Sequence, residues 1–274
     1  MINIVVRFVK DTIKFLGLQN QFRRFVGFVY RENRNEIELC YSALDAGRNP
    51  GIMFDVGAHH GGTLSCFAES GWDIFAFEPD FENRKILSEQ FGDRSNVFID
   101  DRALSNKAEK GVDFFRSYES SGISSLLPFR ETHEISGKVE VTTLEKFHAE
   151  QSLGKRGIDF LKIVTEGYDL YVLQGVPWDE VSPRLILCEF EDRKTQKLGY
   201  EFTDLADYLK GKGYQIIVSE WYPIHTYGAQ HHWRRFAVYP CQLQDPLGWG
   251  NILATQDENL FNRILKLSKL PSMN

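Results

Sequence analysis

The stretch Asp55-Val-Gly-Ala-His-His-Gly61-Gly62-Thr63 constrains this chain most, because it follows the apolar run Gly51-Ile-Met-Phe54 and precedes a helix-like Leu64-Ser-Cys-Phe-Ala68. A buried strand that breaks into glycines and then opens a helix is how an α/β sheet makes a nucleotide-sized crevice. The acid at the end of that strand narrows the ligand. A carboxylate there repels the pyrophosphate of a dinucleotide and attracts a ligand carrying an ammonium and a sulfonium, so Asp55 favours S-adenosylmethionine over NAD.

The 274 residues suit one large domain with appendages, and 42% hydrophobic with 14% aromatic residues is ample for a packed, globular core. A formal net charge of −6 argues against a nucleic-acid partner, which would be met by a basic surplus. The charge is uneven, however. Residues 1–34 carry Arg7, Lys10, Lys14, Arg23, Arg24, Arg31 and Arg34 against only Asp11 and Glu32. Cys40, Cys66, Cys188 and Cys241 lie far apart, with no spacing for a zinc site or disulfide framework, so reduced thiols in a cytoplasmic protein are expected. No apolar run approaches the roughly 20 residues that span a bilayer, and Arg7, Lys10 and Asp11 interrupt the first apolar stretch, unlike a secretory signal.

Ile2, Val5, Val6, Val9, Ile13 and Leu16 recur at helical spacing opposite a basic polar face. Two readings stay open for this amphipathic helix. It caps the sheet domain or mediates formation of a homo-oligomer, or it touches an anionic membrane surface from the cytoplasmic side. A second helical segment through Tyr41–Leu44 and the Gly47–Gly51 turn complete an N-terminal helical appendage over residues 1–50.

From residue 51 strands and helices alternate, as parallel strands with crossover helices require. Strands are expected over 52–56, 73–77, 96–99, 158–164, 184–190 and 214–219, and helices over 63–70, 81–91, 168–174 and 202–210. Residues 235–239 are expected to close the sheet as a hairpin with 214–219. Short strands over 112–115 and 138–141 flank a serine-rich loop, Ser120–Ser125, which serves as a connection or as a lid over the ligand. The main domain is expected over 51–245, followed by a tail over 246–274 with a last helix at 258–267.

Glu78, 21 residues after Gly57, ends the second strand, where an acid can accept both ribose hydroxyls of an adenosine. The alternative is that Asp80 beside it caps a helix while Glu78 is simply exposed. Asp100 and Asp101 end the third strand, where one of them reaches an adenine amine or both are solvated turn residues.

Several segments resemble, in order over roughly 51–240, the FkbM family of methyltransferases: Phe54-Asp-Val-Gly-Ala-His-His-Gly61, Ala76-Phe-Glu-Pro79, Ala103-Leu-Ser105, Thr143-Leu144, Leu161-Lys-Ile-Val-Thr-Glu-Gly167 and Leu187-Cys-Glu189. The resemblance implies an α/β fold with a Rossmann-like seven-stranded methyltransferase sheet, its last strand antiparallel and helices on both faces. It also implies S-adenosylmethionine as cofactor and methyl transfer to a hydroxyl oxygen, with sugars of glycans or polyketide-type natural products as acceptors. On that basis the cofactor is expected against Asp55, Gly57, Ala58, His59, Gly61, Thr63, Glu78 and Asp101.

Two departures touch the chemistry. His59 stands where the family has asparagine, and Val164 stands where it has an aspartate at the end of the fourth parallel strand. Methyl transfer to an alcohol needs the reacting atoms aligned and, as a rule, a group that takes the alcohol's proton. Glu166 is the leading candidate, with His60, His225 and Glu189 as further catalytic candidates and Glu191 near them. A divalent metal is not expected, because His225, His231, Glu189 and Glu191 lack tight ligand spacing and Val164 removes an acid. Residues 220–235 mix aromatic, imidazole and guanidinium groups. They suit either a sugar acceptor, with Arg234 and Arg235 meeting an anionic group on it, or an aromatic plug that packs the tail onto the sheet edge. The expected activity is O-methylation of a sugar hydroxyl in a glycan or polysaccharide intermediate, with a small secondary metabolite as the alternative acceptor and a non-catalytic cofactor-binding scaffold as the alternative role.

Overall fold

Apolar runs without polar alternation predict strands covered on both faces, and those runs build the interior of a mostly parallel sheet. The computed structural model describes residues 35–151, 153, 157–224 and 230–270. The chain divides after Asn35, and the second unit begins at Glu36. The amphipathic helix expected near the N-terminus lies outside the described residues.

Helix α1 (Glu36–Ala43) is followed by β1 (Ile52–Val56), α2 (Ser65–Glu69), β2 (Asp73–Phe77), α3 (Phe81–Phe91) and β3 (Val97–Asp100). Next come the short β4 (Ala103–Leu104), the long β5 (Glu109–Ser117) and β6 (His133–Thr142), then α4 (Leu144–Glu150), β7 (Phe160–Ile163) and α5 (Asp169–Gln174). The remainder is β8 (Leu185–Glu191), α6 (Asp192–Thr195), α7 (Phe202–Gly211), β9 (Gln215–Trp221), β10 (Trp233–Val238), β11 (Trp249–Thr255) and α8 (Glu258–Ser268).

The main sheet has the order β10-β9-β11-β8-β7-β1-β2-β3. Strands β3, β2, β1, β7 and β8 run parallel, and β11 lies antiparallel between β8 and β9. The expected methyltransferase-like α/β fold is therefore present, with eight strands in place of seven. Its last strand is antiparallel as expected, but that strand is β11. Strand β10 pairs antiparallel with β9, the hairpin expected there, and forms the edge of the sheet. Trp249–Thr255, expected in a tail outside the main domain, is consequently a strand of its sheet. The sequence around Trp249 hides this, because a short apolar run cannot be assigned to a strand by periodicity when both its neighbours come from elsewhere in the chain.

Alternation of side chains divides the core into two layers. Ile52, Phe54 and Val56 of β1 face one cluster with α4, α5 and α7, whereas Met53 faces the other with α2, α3, α1 and α8. Local signals start these helices where the sequence predicts them. Asp80 caps α3 by accepting from the amides of Glu82 (3.0 Å) and Asn83 (3.1 Å), and Asp257 caps α8 through Leu260 N (3.1 Å). Helix α8 buries Leu260, Phe261, Ile264 and Leu265 and packs against α1, so Glu36–Ala43 and Glu258–Ser268, expected to lie in separate pieces, pack together. Strands β4, β6 and β5 form a small second sheet beside the C-terminal edge of the main one.

Candidate functional site

The C-terminal ends of β1, β2 and β7 splay around a cavity of about 390 Å³, which the Ser121–Leu126 segment and Phe114 of the small sheet close from the other side. A volume in this range suits a cofactor-sized ligand. Gly57 makes the first turn possible. It has φ of 76°, and a Cβ there would sit 2.0 Å from the carbonyl oxygen of Val164. The loop therefore passes over the end of β7 without a gap.

Of the residues expected to hold a cofactor, Gly57, Ala58, His59, Thr63 and Glu78 line this cavity. Glu78 is buried and spans the crevice, with Oε2 accepting from the His59 amide at 2.7 Å and Oε1 from the Asp80 amide at 2.9 Å. Burial pushes its carboxyl up to about 7, against the pull of those two amides. His59 is held at φ 51°, and its Nε2 lies 3.0 Å from Ser121 Oγ. Burial, then the neighbouring His60 and Lys162, push its imidazole down to about 4, so it is neutral at pH 7. Asn83 Nδ2 donates to Ser121 O (3.0 Å) and Ser124 Oγ to Asp80 Oδ2 (3.0 Å). Arg116 Nε also reaches that Asp80 oxygen at 2.8 Å. The serine-rich loop is thus a bonded cover over the cavity.

Three other cofactor candidates stand elsewhere. Asp55 is fully buried behind the cavity wall, and its cross-strand partner in register is Lys162. The Lys162 ammonium lies 2.9 Å from Asp55 Oδ1 and donates to Gly57 O at 2.6 Å. Asp55 thus faces an internal cation. Burial raises its pKa and Lys162 pulls it back. Gly61 packs against α3, where a Cβ would meet the Phe91 ring at 2.4 Å. Asp101 is exposed. Its neighbour Arg102 lines the cavity instead, held by Asp100 at 2.8 Å and Glu150 at 2.8 Å.

Among the catalytic candidates, Glu166 lines the cavity and is held at φ 58° in the turn after β7. That turn is over-determined, as strained backbone at a functional site must be. Asp169 accepts from the amide (3.2 Å) and hydroxyl (2.8 Å) of Thr165, and Ser125 Oγ donates to Glu166 O (3.3 Å). Tyr200 Oη donates to Gly167 O at 2.6 Å. Glu189 is buried next to Glu166, outside the cavity lining, and its amide donates to Asp169 Oδ1 at 2.9 Å. His60 stacks on His59 with ring centres 3.7 Å apart and lies 3.1 Å from Asn83 Oδ1, outside the residues that line the cavity. His225 lies outside the described residues.

Lys194 joins the acids into one cluster. Its ammonium lies 2.6 Å from Glu166 Oε2, 3.2 Å from Glu189 Oε2 and 2.9 Å from Glu191 Oε2, and it is nearly inaccessible to solvent. Among the described residues no group of three or more His, Cys, Asp or Glu is arranged to hold a metal ion. Burial pushes Asp169 up to about 7 and raises Glu166 and Glu189, whereas Lys194 holds Glu191 below the usual carboxylate range despite its burial.

At the same sheet edge, Trp249 pairs in register with Glu191 on one side and with Trp221 on the other. The Trp221 and Trp249 rings are 5.4 Å apart, and His231 meets Trp249 edge-on at 5.4 Å. The arginines expected to meet an anionic acceptor are engaged internally. Arg235 Nε pairs with the buried Glu220 at 2.7 Å, and Arg234 pairs with Asp245 at 3.3 Å while stacking 4.1 Å over Tyr222. Lys162, Lys194 and Asp169 were not singled out from the sequence. A lone lysine inside the apolar run Phe160-Leu-Lys-Ile163 is a legible sign of a buried partner, but Lys194 sits in the polar stretch Asp192-Arg-Lys-Thr195 and carries no such sign.

The profile described as Methyltransferase FkbM domain matches residues 55–216. No curated protein sequence matches the chain. Among solved structures, the chain is similar to a methyltransferase FkbM from Methylobacillus flagellatus KT, at 14% identity over 74% of this chain with a TM-score of 0.42. The match spans 43% of that structure's length. A precorrin-6y C5,15-methyltransferase from Geobacter metallireducens GS-15 is 13% identical over 80% of this chain and 88% of its own, with a TM-score of 0.39. A putative caffeoyl-CoA O-methyltransferase from Staphylococcus aureus is 8% identical over 91% and 98%, with a TM-score of 0.42.

Proposed function

This chain belongs to the FkbM methyltransferase family, and from that premise we propose that it transfers a methyl group from S-adenosylmethionine to a hydroxyl oxygen of a sugar in a glycan or glycosylated intermediate. The observation that carries the reading is one cavity lined both by Glu78 and by Glu166, which lie on opposite sides of the β1 loop in the strand order β7-β1-β2.

The donor set fits the cofactor. Each oxygen of Glu78 accepts one amide and keeps a further acceptor site for a ribose hydroxyl. Phe77, Leu104 and Phe114 supply apolar wall for a base, and Ala58 and Thr63 line the first turn. When bound, S-adenosylmethionine supplies an electrophilic methyl carbon carried on a sulfonium. The chain's own residues supply the rest. The Ser121–Leu126 cover excludes water, Glu166 stands at the wall to accept the hydroxyl's proton, and the pinned turn at Thr165–Gly167 keeps it there. The half-buried Trp249 and His231 offer aromatic faces with polar edges beside Glu191, the pattern that suits a sugar's C–H surface ringed by hydroxyls. With Arg234 and Arg235 paired internally, a neutral sugar fits better than an anionic one.

The test is calorimetry of the full chain with S-adenosylmethionine, S-adenosylhomocysteine and NAD, then transfer of labelled methyl to glycans extracted from the producing cells. Binding of S-adenosylhomocysteine with label in base-stable, sugar-linked methyl ethers is expected. Binding of NAD alone sinks the reading, and cofactor binding without any transfer favours a scaffold.

A further inference from the structure

Among the described residues, the Lys194 ammonium is the one cation inside a group of four buried acids, Glu166, Glu189, Glu191 and Asp169. Arg193 pairs with Glu191 Oε1 at 2.9 Å, from the outer side of the group. His231 faces the group across Glu191 and Lys194. Buried charges persist only when paired, and leaving one of them alone costs far more than the pair contributes. Lys194 reaches three carboxylates at once, but it treats them differently. Its shortest contact, 2.6 Å, is to Glu166, the only member of the cluster that lines the cavity.

That contact decides which oxygen of Glu166 can react. Oε2 is tied to Lys194, while Oε1 has no hydrogen-bond partner among the described residues, and Glu166 lines the cavity. The backbone cannot turn to offer the other one. Thr165 is held by Asp169, the Glu166 carbonyl by Ser125 and the Gly167 carbonyl by Tyr200. We propose that Lys194 is a positioning residue for methyl transfer, a role that rests on the reading above: by binding Glu166 Oε2 it orients the carboxylate and presents Oε1 as the acceptor of the hydroxyl proton. The O–H bond breaks with its proton passing to Oε1, and the oxygen's electron pair forms the new bond to the methyl carbon as that carbon's bond to the cofactor's sulfur breaks, its electron pair leaving on sulfur to give S-adenosylhomocysteine. Lys194 stays protonated throughout and touches neither reactant. Burial of Glu166 opposes ionisation and Lys194 is the chief group that restores it, with Glu191 and Asp169 acting against it.

The experiment titrates the full chain labelled with 13C at glutamate Cδ, Glu166 being identified by the resonance missing in Glu166→Gln. Lys194→Met is expected to raise the Glu166 midpoint by about one pH unit or more, and Lys194→Arg to keep it close to wild type. In methyl transfer to the glycans that the wild type labels, Lys194→Met should cost about tenfold or more at pH 7, with its acid limb moved to higher pH. Affinity for S-adenosylhomocysteine should change by less than about twofold, since Lys194 lies outside the cavity lining. Where Lys194→Met does not fold, Lys194→Met with Glu189→Gln, which removes one acid with the cation, takes its place. A Glu166 midpoint unmoved by loss of Lys194 overturns the positioning role by itself. Absence of any transfer by wild type overturns the preceding reading and the proton-accepting role with it.

Discussion

Glu78 Oε2 accepts the His59 amide at 2.7 Å, so the acid that ends β2 is bonded to the loop that follows β1. The loop and the acid, each expected to hold the cofactor, are one hydrogen-bonded unit. Glu78→Ala is therefore expected to weaken S-adenosylhomocysteine binding by about tenfold or more, through both the lost acceptor and a loosened loop. Glu78→Gln keeps the size but sets an amide N–H against one of the two backbone donors, and should fall between. Isothermal calorimetry measures both, and an unchanged affinity in Glu78→Ala removes Glu78 from the site.

Burial holds Glu78 and Asp169 up near about 7, well above the values these groups have in an unfolded chain. The folded state therefore binds their protons more tightly than the unfolded state does. Their contribution to stability is complete below about pH 4 and is lost as pH rises through about 7. The melting temperature of the unliganded protein is expected to fall by several degrees between pH 5 and about 7.5, and Asp169→Asn should flatten that slope. Differential scanning calorimetry across pH checks the sign, and a melting temperature that climbs steadily over this window contradicts it.

Asp55 and Lys162 are cross-strand partners whose charges meet at 2.9 Å inside the sheet. Removing one leaves the other buried and alone, so Lys162→Met should destabilise the protein by about 3–5 kcal/mol. Asp55→Asn with Lys162→Met should recover much of that loss. Urea unfolding gives both values. Because Asp55 lies behind the wall, Asp55→Asn is expected to lower stability more than it lowers cofactor affinity in whatever fraction remains folded.

Gly57→Ala should abolish folding or cofactor binding outright. The new methyl would overlap the Val164 carbonyl at 2.0 Å, and the φ of 76° is already unfavourable for alanine. A soluble, cooperatively melting Gly57→Ala protein that binds S-adenosylhomocysteine like wild type would show that the loop can rise off β7.

The alternation of strands and helices from residue 51, the crevice-forming loop and the acid that ends β2 were legible in the sequence, because each follows from local rules. A parallel strand covered on both faces must be apolar along its length, a tight strand-to-helix turn must use glycine, and an N-cap such as Asp80 bonds its own next turn. Strand β11 escaped those rules, since Trp249–Thr255 becomes a strand only through the two strands that receive it. Tertiary structure also decided which charges face the cavity. Asp55 looked like a ligand for a cationic cofactor until Lys162, 107 positions later, met it across β1 and β7. Glu166 looked like a free base until Lys194, 28 positions on, closed on one of its oxygens. Burial and ion pairing depend on distances between segments that sequence does not place side by side, whereas hydrophobic period and turn chemistry depend only on neighbours along the chain.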